Sequence, residues 1–570
     1  MKRRGLGWLL MAFVLAFFAA FLVWPVCQTL HGAFEREGRW TFAYVAAVFA
    51  NPIYREGLGN AVAIAVTTTT LVLLIATPLA WLYTRYDFPG KSLAGALLLV
   101  PMILPPFVGA IGIRQVFGEY GALNSLLRAV GLLGPGRSMD WLGGSSFLPV
   151  AVLEALALYP ILFLNASAAM ANIDPALDEA AEGLGCTGWR KFRRVTLPLI
   201  LPGLFAGGTI VFIWSFTELG TPLMLGYNRV TPVQVFSGIR EIGMDPPNPI
   251  PYALTAVMLA VSAAAYVVGR AFLGRRSYGM MARATVSAAP RRRAGWQGLL
   301  VALPFAATIA VAVTPHVAVV LLSVTGHWYD SVLPSAWTLE HYREGLGHRL
   351  TMSSIVNSME YASLAMALDV VLGVVIAWIV VRTDLPGRSL VDALSVMPLA
   401  VPGLVLAFGY LAMTQEGRPF AFLVGDPKEP SPLVILVIAY AVRRLPYVVR
   451  SAVAGMQQTS VTLEEAARNL GAPSATVLRR ITVPLIAANV IAGAVLAFAL
   501  SMLEVSDSLL LAQRTTDFPV TNAIYLLFQM PGDGRYIAAA LGVWAMALLL
   551  ITLLLASDLL GKRLGAIFRV

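Results

Sequence analysis

The sequence predicts an all-α polytopic membrane protein with about 12 transmembrane helices, arranged as two parallel six-helix repeats. Three observations lead to this fold class: the composition, the recurrence of long apolar runs, and an internal duplication. Of the 570 residues, 58% are hydrophobic and only 13% are charged, and the mean hydropathy is +0.75. Soluble globular domains do not carry such an excess of apolar residues.

Apolar runs long enough for membrane helices occur throughout the chain. In the first half, spans 1 to 6 are predicted at 7–29, 58–83, 93–113, 146–170, 199–219 and 251–273. In the second half, spans 7 to 12 are predicted at 297–323, 355–381, 391–413, 432–456, 485–511 and 536–560. Because each half contains an even number of spans, both halves enter the membrane in the same orientation.

The duplication extends to polar segments, where shared hydropathy does not explain it. Segment 179–198 recurs at 465–484, and segments 85–90 and 382–387 both read Arg-X-Asp-X-Pro-Gly. Repeats of this length indicate a duplicated structural unit. The predicted domains are therefore a first six-helix half at 1–273, a basic cytoplasmic linker at 274–296 and a second six-helix half at 297–570.

The distribution of basic residues sets the predicted orientation, because Lys and Arg collect in cytoplasmic loops. The basic clusters are Met1–Arg4, Arg85–Lys91, Arg190–Arg194, Arg270–Arg293, Arg382–Arg388, Arg479–Arg480 and Lys562–Arg569. Both termini and both copies of the repeated segment are therefore predicted in the cytoplasm. The net charge of +10 is explained in the same way, so lipid rather than nucleic acid is the expected partner. Cys27 and Cys186 fall on opposite sides, which excludes an intramolecular disulfide.

The start of the chain resembles a signal peptide, since basic residues precede an apolar run from Leu6 to Val26. That run is too long for a typical signal peptide, and no clear cleavage site follows it. We interpret it as a retained first helix.

The repeated cytoplasmic segment predicts a short helix on the inner face of the membrane. In the first copy, Asp174 is the expected N-cap before Pro175, and Gly185 permits a left-handed stop. In the second copy, Thr462 is the expected cap and Gly471 the stop. A single helix of this kind could simply tie two spans together, but two matched copies favour docking to a two-fold partner.

The pattern Glu-Ala-Ala, Gly and a later Pro resembles the EAA loop of binding-protein-dependent ABC importer permeases. The matching residues are Glu179, Ala180, Ala181 and Gly185 in the first copy, and Glu465, Ala466, Ala467 and Gly471 in the second. The resemblance implies a type I importer fold with both permease halves in one polypeptide. It implies that these segments are coupling helices seated in two copies of an ATP-binding subunit on the cytoplasmic face. It also implies a soluble or lipid-anchored solute-binding protein on the outer face and a place in the bacterial inner membrane.

The chain itself is not expected to be an enzyme. A P-loop requires Gly-X₄-Gly-Lys-Ser/Thr, and although Gly90-Lys91-Ser92 supplies the end of this pattern, Arg85 stands where its first glycine is needed. No cofactor is therefore expected in this chain, and ATP and magnesium are assigned to the partner subunits. No catalytic triad or metal-ligand spacing occurs within the spans. The alternative class is a secondary transporter driven by an ion gradient.

Ionisable residues inside membrane spans are costly and suggest function. Glu218 and Glu504 occupy matched positions near the ends of spans 5 and 11, and Asp507 follows Glu504 by about one turn. They are predicted to line a translocation path near its outer mouth that favours a cation, or else to cap helices or pair with outer loops. Arg443 and Arg444 lie inside span 10; we favour pairing with a carboxylate such as Glu154 or a position facing the bundle interior over an anion site.

Prolines in the spans predict kinks around a cavity, although they also fit a purely packing role. They are Pro101, Pro105, Pro106, Pro160, Pro398, Pro402 and Pro446.

The overall pattern most resembles fused iron(III) importer permeases. The segments that carry this resemblance are Glu218–Thr221, Leu445–Tyr447 and Arg450-Ser451. Ferric iron is therefore the expected cargo, with thiamine, phosphonate, sulfate and polyamines as alternatives. The family implies that the binding protein largely determines which substrate is delivered.

Overall fold

The computed structural model describes residues 2–36, 38–103, 106–143, 146–239, 248–275, 291–292, 295–425 and 429–560. Most of the predicted linker at 274–296 lies outside these residues. Pro105 and the basic segment Lys562–Arg569 lie outside them entirely.

The described part of the chain is mainly helical. The helices of the first half are Lys2–Phe18, Ala19–Val23, Trp24–Phe34, Ala43–Ala50, Pro52–Arg85, Lys91–Leu97, Val100–Ile103, Pro106–Phe117, Ala122–Ala129, Leu148–Ala171, Pro175–Gly183, Gly188–Lys191, Phe192–Thr196, Leu197–Phe216, Gly220–Leu225, Thr231–Ile239 and Ile250–Arg275. Those of the second half are Gly295–Ser323, Glu340–Gly347, Arg349–Arg382, Arg388–Val396, Met397–Leu399, Gly403–Met413, Ala421–Val424, Leu433–Gln458, Val461–Asn469, Ser474–Val477, Leu478–Thr482, Val483–Met502, Ser506–Leu511, Thr515–Asp517, Val520–Gln529 and Gly534–Leu560. Two pairs of two-residue strands complete it: Glu35–Arg36 runs antiparallel to Arg39–Trp40, and Tyr86–Asp87 runs parallel to Arg291–Arg292.

Nine helices in the described part are long and apolar enough to cross a membrane, and two bent helix pairs raise the number to eleven if each pair is one span. The predicted span 10 is present as the helix Leu433–Gln458. It is more polar than the others because it carries Arg443, Arg444 and Arg450. The described helices thus account for each of the predicted apolar runs.

Spans 3 and 9 are broken in the middle, as the matched prolines predict. Helices Lys91–Met102 and Pro106–Ala129 meet at 94°, and helices Arg388–Leu399 and Gly403–Met413 meet at 101°. Proline lacks the N–H that would continue the helical ladder, so each break falls where prolines cluster. At Pro160 and Pro446, in contrast, the helices continue.

Spans 5 and 11 end earlier than the hydropathy predicts. The expected spans at 199–219 and 485–511 stop at Phe216 and Met502, and a separate short helix follows each of them. Glu218 and Glu504 lie in these two breaks rather than on continuous helices. A polar residue can satisfy the free backbone groups at such a helix end, which apolar side chains cannot do.

The two halves interlock through their first spans. Phe18 and Leu22 of span 1 are buried in a cluster formed mainly by the second half, and the Tyr410 hydroxyl donates to the Phe21 carbonyl at 2.6 Å. Conversely, Phe305 of span 7 is buried in a cluster of the first half. Each half therefore uses a helix of the other half to complete its core. The domain boundaries at 273 and 297 stay a prediction.

Repeat-matched glycines allow this exchange. A Cβ atom at Gly112 would lie 1.9 Å from the Pro315 carbonyl oxygen, and one at Gly409 would lie 2.3 Å from that of Pro25. Both distances are far below van der Waals contact, so only glycine lets the first span of one half approach this closely.

Candidate functional site

The first loop helix, Pro175–Gly183, begins and ends as predicted. The Asp174 side chain accepts a hydrogen bond from the backbone N–H of Ala176 at 2.9 Å, and Gly185 has a φ of 75°. An acidic cap also suits the positive end of the helix dipole. Glu179 and Ala180 are exposed, whereas Ala181 is buried against the protein.

The second loop helix, Val461–Asn469, has the same design but begins two residues earlier than expected. Its N-cap is Ser460, whose hydroxyl accepts from the Thr462 N–H at 3.3 Å, so the prediction of Thr462 as the cap is wrong. The predicted stop, Gly471, has a φ of 88°. Glu465 and Ala466 are exposed.

Exposed leucines occupy matched positions on the two loop helices. Leu184 and Leu470, at the C-terminal ends, are 88% and 89% exposed, and Leu177 and Leu463 are about half exposed. Single exposed apolar side chains are common, but two leucines seven residues apart lie on one face of a helix, and this pair recurs in both copies. The matched pairs therefore present two equivalent apolar surfaces.

An arginine at the end of the second span of each half holds each loop helix. Arg85 pairs with Asp178 and Glu182, both at 3.3 Å. Its counterpart Arg382 pairs with the fully buried Glu464 at 2.9 Å and also donates to the Met456 and Thr459 carbonyls. We call these the two arginine tethers. From the sequence, these arginines indicated only the orientation of the spans. The detectable signal was that both repeats carry an arginine here and an acidic residue, Asp178 or Glu464, at matched positions.

A cavity of about 240 Å³ lies where the two halves meet. Four of the five predicted path residues line it, namely Glu218, Arg443, Arg444 and Glu504. The fifth, Asp507, is fully buried behind Arg443. The helix breaks of spans 3, 5, 9 and 11 border the cavity, and its lining there includes Pro101, Pro106, Thr217, Pro398, Pro402 and Val505.

Glu504 is the centre of a buried charge network. Its Oε1 is 2.6 Å from Nη1 of Arg443, and its Oε2 contacts Nη2 of Arg444. Asp507 also pairs with Arg443, at 3.3 Å. The arginines thus pair with carboxylates, as predicted. Their partners are Glu504 and Asp507, so the prediction of Glu154 as a partner is wrong. The breaks between helices put these groups together, which hydropathy along the sequence does not reveal.

Glu504 also caps the helix that follows it, since its Oε1 accepts from the N–H groups of Ser506 at 3.1 Å and Asp507 at 3.4 Å. Glu218 has the same relation to the Thr221 N–H, at 3.2 Å. Helix capping is therefore present in both halves, while the alternative of pairing with outer loops is wrong for Glu504.

Gly403 gives Arg443 its position in the network. A Cβ atom at Gly403 would lie 2.2 Å from the Arg443 guanidinium carbon. The charged group therefore lies directly against the backbone at the start of the second helix of span 9, and a larger residue there would displace it.

Glu154 is a further cavity residue, which the sequence analysis named only as a partner for arginine. It is 2% exposed and accepts hydrogen bonds from the hydroxyls of Ser215 and Thr68. Its position in the middle of an apolar run was the available signal. Among the described residues, no group of three or more His, Cys, Asp or Glu side chains is arranged to hold a metal ion.

Comparison with known proteins assigns the chain to a family. The family model described as "Binding-protein-dependent transport system inner membrane component" matches the chain twice, at residues 73–277 and 369–569. The chain belongs to this family. It is an ABC importer permease, and it is a multi-pass protein of the inner membrane that works with a binding protein.

Two similar curated proteins are ferric transport permeases. "Ferric transport system permease protein FbpB" of Actinobacillus pleuropneumoniae is 28% identical over 94% of this permease and 75% of its own length. "Putative ferric transport system permease protein FbpB 1" of Haemophilus influenzae is 26% identical over 84% of this permease and 72% of its own length. A solved bacterial ABC transporter that imports the polysaccharide alginate matches 48% of this permease and 98% of its own chain, with 19% identity and a TM-score of 0.38.

Proposed function

We propose that this permease imports ferric iron by alternating access, driven by ATP hydrolysis on two partner subunits. A binding protein delivers the iron to the outer face, and the cavity between the halves receives it. The two loop helices transmit the closure of the ATP-binding subunits to the spans. Both termini and both loop helices lie in the cytoplasm in this arrangement.

The observation that carries the mechanism is the pair of matched loop helices. Each presents an exposed leucine at its C-terminal end, Leu184 or Leu470, and each is attached to a long second span through an arginine tether. Two equivalent surfaces on one chain fit a partner with two equivalent subunits. Residues Glu179–Gly185 and Glu465–Gly471 are the proposed coupling segments.

The cargo assignment rests on the ferric transport permeases, which match both halves of this chain. The charge of the cavity supports it, because the carboxylates in and behind its wall outnumber the arginines. An acidic lining favours a cation and disfavours the sulfate and phosphonate alternatives.

The test is transport in vesicles that contain the permease, its ATP-binding subunit and its binding protein. We expect ⁵⁵Fe uptake that requires ATP and the ferric-loaded binding protein, and that excess sulfate, phosphonate, thiamine or spermidine does not reduce. Uptake that proceeds without ATP on a proton gradient would show a secondary transporter instead. Saturable uptake of another substrate with none of iron would refute the cargo.

The same system tests the proposed coupling surface. We expect the double variant L184D/L470D to lose both the co-purifying ATP-binding subunit and iron uptake, because a charge is placed in an apolar contact. The matched control is L132D, since Leu132 is also a highly exposed leucine, at 75%, but lies in a different loop. Retention of the ATP-binding subunit by L184D/L470D would contradict the proposed surface.

A further inference from the structure

Two carboxyl groups of the cavity wall form no direct ion pair with any described residue. Glu154 is almost completely buried, and while its Oε2 accepts from Ser215 and Thr68, its Oε1 has no hydrogen-bond partner. Glu218 accepts from the backbone N–H and the hydroxyl of Thr221 and from the backbone N–H of Gly220. Within the described residues, no ion pair involves either group, and the two lie close enough to repel one another.

The opposite wall of the cavity is electrically balanced. The two positive charges of Arg443 and Arg444 are matched by the two carboxylates of Glu504 and Asp507, which contact them directly. Arg443 also attracts Glu218 through space, but its direct ion pairs are with Glu504 and Asp507. Glu154 and Glu218 are therefore left without a direct ion pair among the described residues. A buried charge without a partner costs several kcal/mol, so such a pair is stable only when a cation or proton joins it.

The pair exists only in the first half of the permease. The repeat counterpart of Glu154 is Tyr440, which carries no charge. The counterpart of Glu218 is Glu504, which already forms ion pairs with Arg443 and Arg444. The two arginines in turn replace Ala157 and Leu158 of the first half. Duplication followed by divergence has left one wall with free carboxyl groups and the other with none.

We propose that Glu154 and Glu218 form a transit site for the transported cation, a hard trivalent ion bound through carboxylate oxygens. This inference rests on the proposed function. Ser215 and Thr68 hold Glu154 in place through its Oε2, which leaves Oε1 for the ion. Two protein carboxylates make a weaker site than the three or more ligands of a resident metal. A transport path needs such a site, because an ion that binds too tightly is not released.

Binding by the purified permease is the direct test, with gallium(III) citrate as a redox-inert trivalent probe and elemental analysis as the readout. We expect E154Q and E218Q each to weaken gallium retention by at least about 10- to 100-fold, because loss of an outer-shell partner of a metal ligand already costs that much. E154D keeps the charge and should retain part of the binding. The matched control is D369N, because Asp369 is also a fully buried carboxyl without a hydrogen-bond partner, yet it does not line the cavity.

Uptake of ⁵⁵Fe by the same variants separates the two proposals. Suppose that the wild-type permease imports iron, and that the double variant E154Q/E218Q binds gallium and imports iron as well as the wild type does. The transit site is then refuted, and the proposed function stands. If the variants lose uptake but retain gallium, the carboxyl groups act through folding or protonation, and the site is likewise refuted. If the wild type imports no iron, the proposed function itself fails.

Discussion

At the scale of single residues, Glu504 shows how one side chain serves several structural needs. It neutralises Arg443 and Arg444 and also caps the helix that begins at Ser506. Its repeat counterpart Glu218 has only the capping contact. The same residue type at matched positions therefore has different surroundings, because the arginines occur in one half alone.

Removing the charge of Glu504 should destabilise the permease strongly. In E504Q, Arg444 loses its ion-pair partner and Arg443 keeps only Asp507, and a broken buried pair costs about 3–5 kcal/mol. Thermal unfolding in detergent would measure this as a lower midpoint. E218Q is the matched comparison, since Glu218 has no ion pair among the described residues, and we expect a much smaller shift. Equal shifts for both variants would show that the ion pairs contribute little to stability.

At the scale of elements, the tethered loop helices connect the surface to the interior of the protein. Arg85 and Arg382 end helices of 34 residues each, Pro52–Arg85 and Arg349–Arg382. At 1.5 Å per residue, such a helix is about 50 Å long. A displacement of a loop helix therefore reaches the far end of the second span through the ion pairs of its arginine tether.

Loss of a tether should uncouple ATP hydrolysis from transport. We expect R85Q and R382Q to lower the ratio of iron imported to ATP hydrolysed by about fivefold or more, the lower end of typical coupling energies. Uptake and phosphate release measured on the same vesicles give this ratio. The control is R388Q, because Arg388 forms an exposed pair with Asp384. An unchanged ratio in both tether variants would rule out this role.

The breaks in the spans differ in how well the sequence predicts them. Proline clusters predicted the bends of spans 3 and 9, since the missing N–H is a property of the residue itself. The ends of spans 5 and 11 at Phe216 and Met502 were missed, because the apolar run continues past them. There the helix end depends on a side chain that accepts the backbone N–H groups of the next helix.

At the scale of the whole molecule, the exchanged first spans make the two halves one interlocked unit. Gly112 and Gly409 permit this exchange at equivalent places. The cavity then arises between the halves, with Glu154 and Glu218 on the wall from the first half and the arginine network on the wall from the second.

The orientation of the molecule can be tested with its own cysteines. In a C27S variant, the half-buried Cys186 beside the first loop helix is the remaining thiol. We expect a membrane-impermeant maleimide to label it in inverted membrane vesicles and not in intact cells, because the basic clusters place this loop in the cytoplasm. C27S/C186S/L132C carries a thiol in the loop between spans 3 and 4, which is predicted on the outer side, and should give the reverse pattern. Labelling of Cys186 from outside would overturn the proposed position of the loop helices.

The sequence by itself determined the helical class, the duplicated halves and the bends at the proline clusters. It also determined where along the chain the two loop helices lie. These follow from local properties: apolar runs, prolines, capping residues and repeated spacing. Only the tertiary structure decided that span 1 packs on the second half, that Arg443 and Arg444 pair with Glu504 and Asp507, and that Glu154 and Glu218 stay unpaired. Such contacts join residues that are distant in the sequence, and hydropathy and charge along the chain do not say which helices meet.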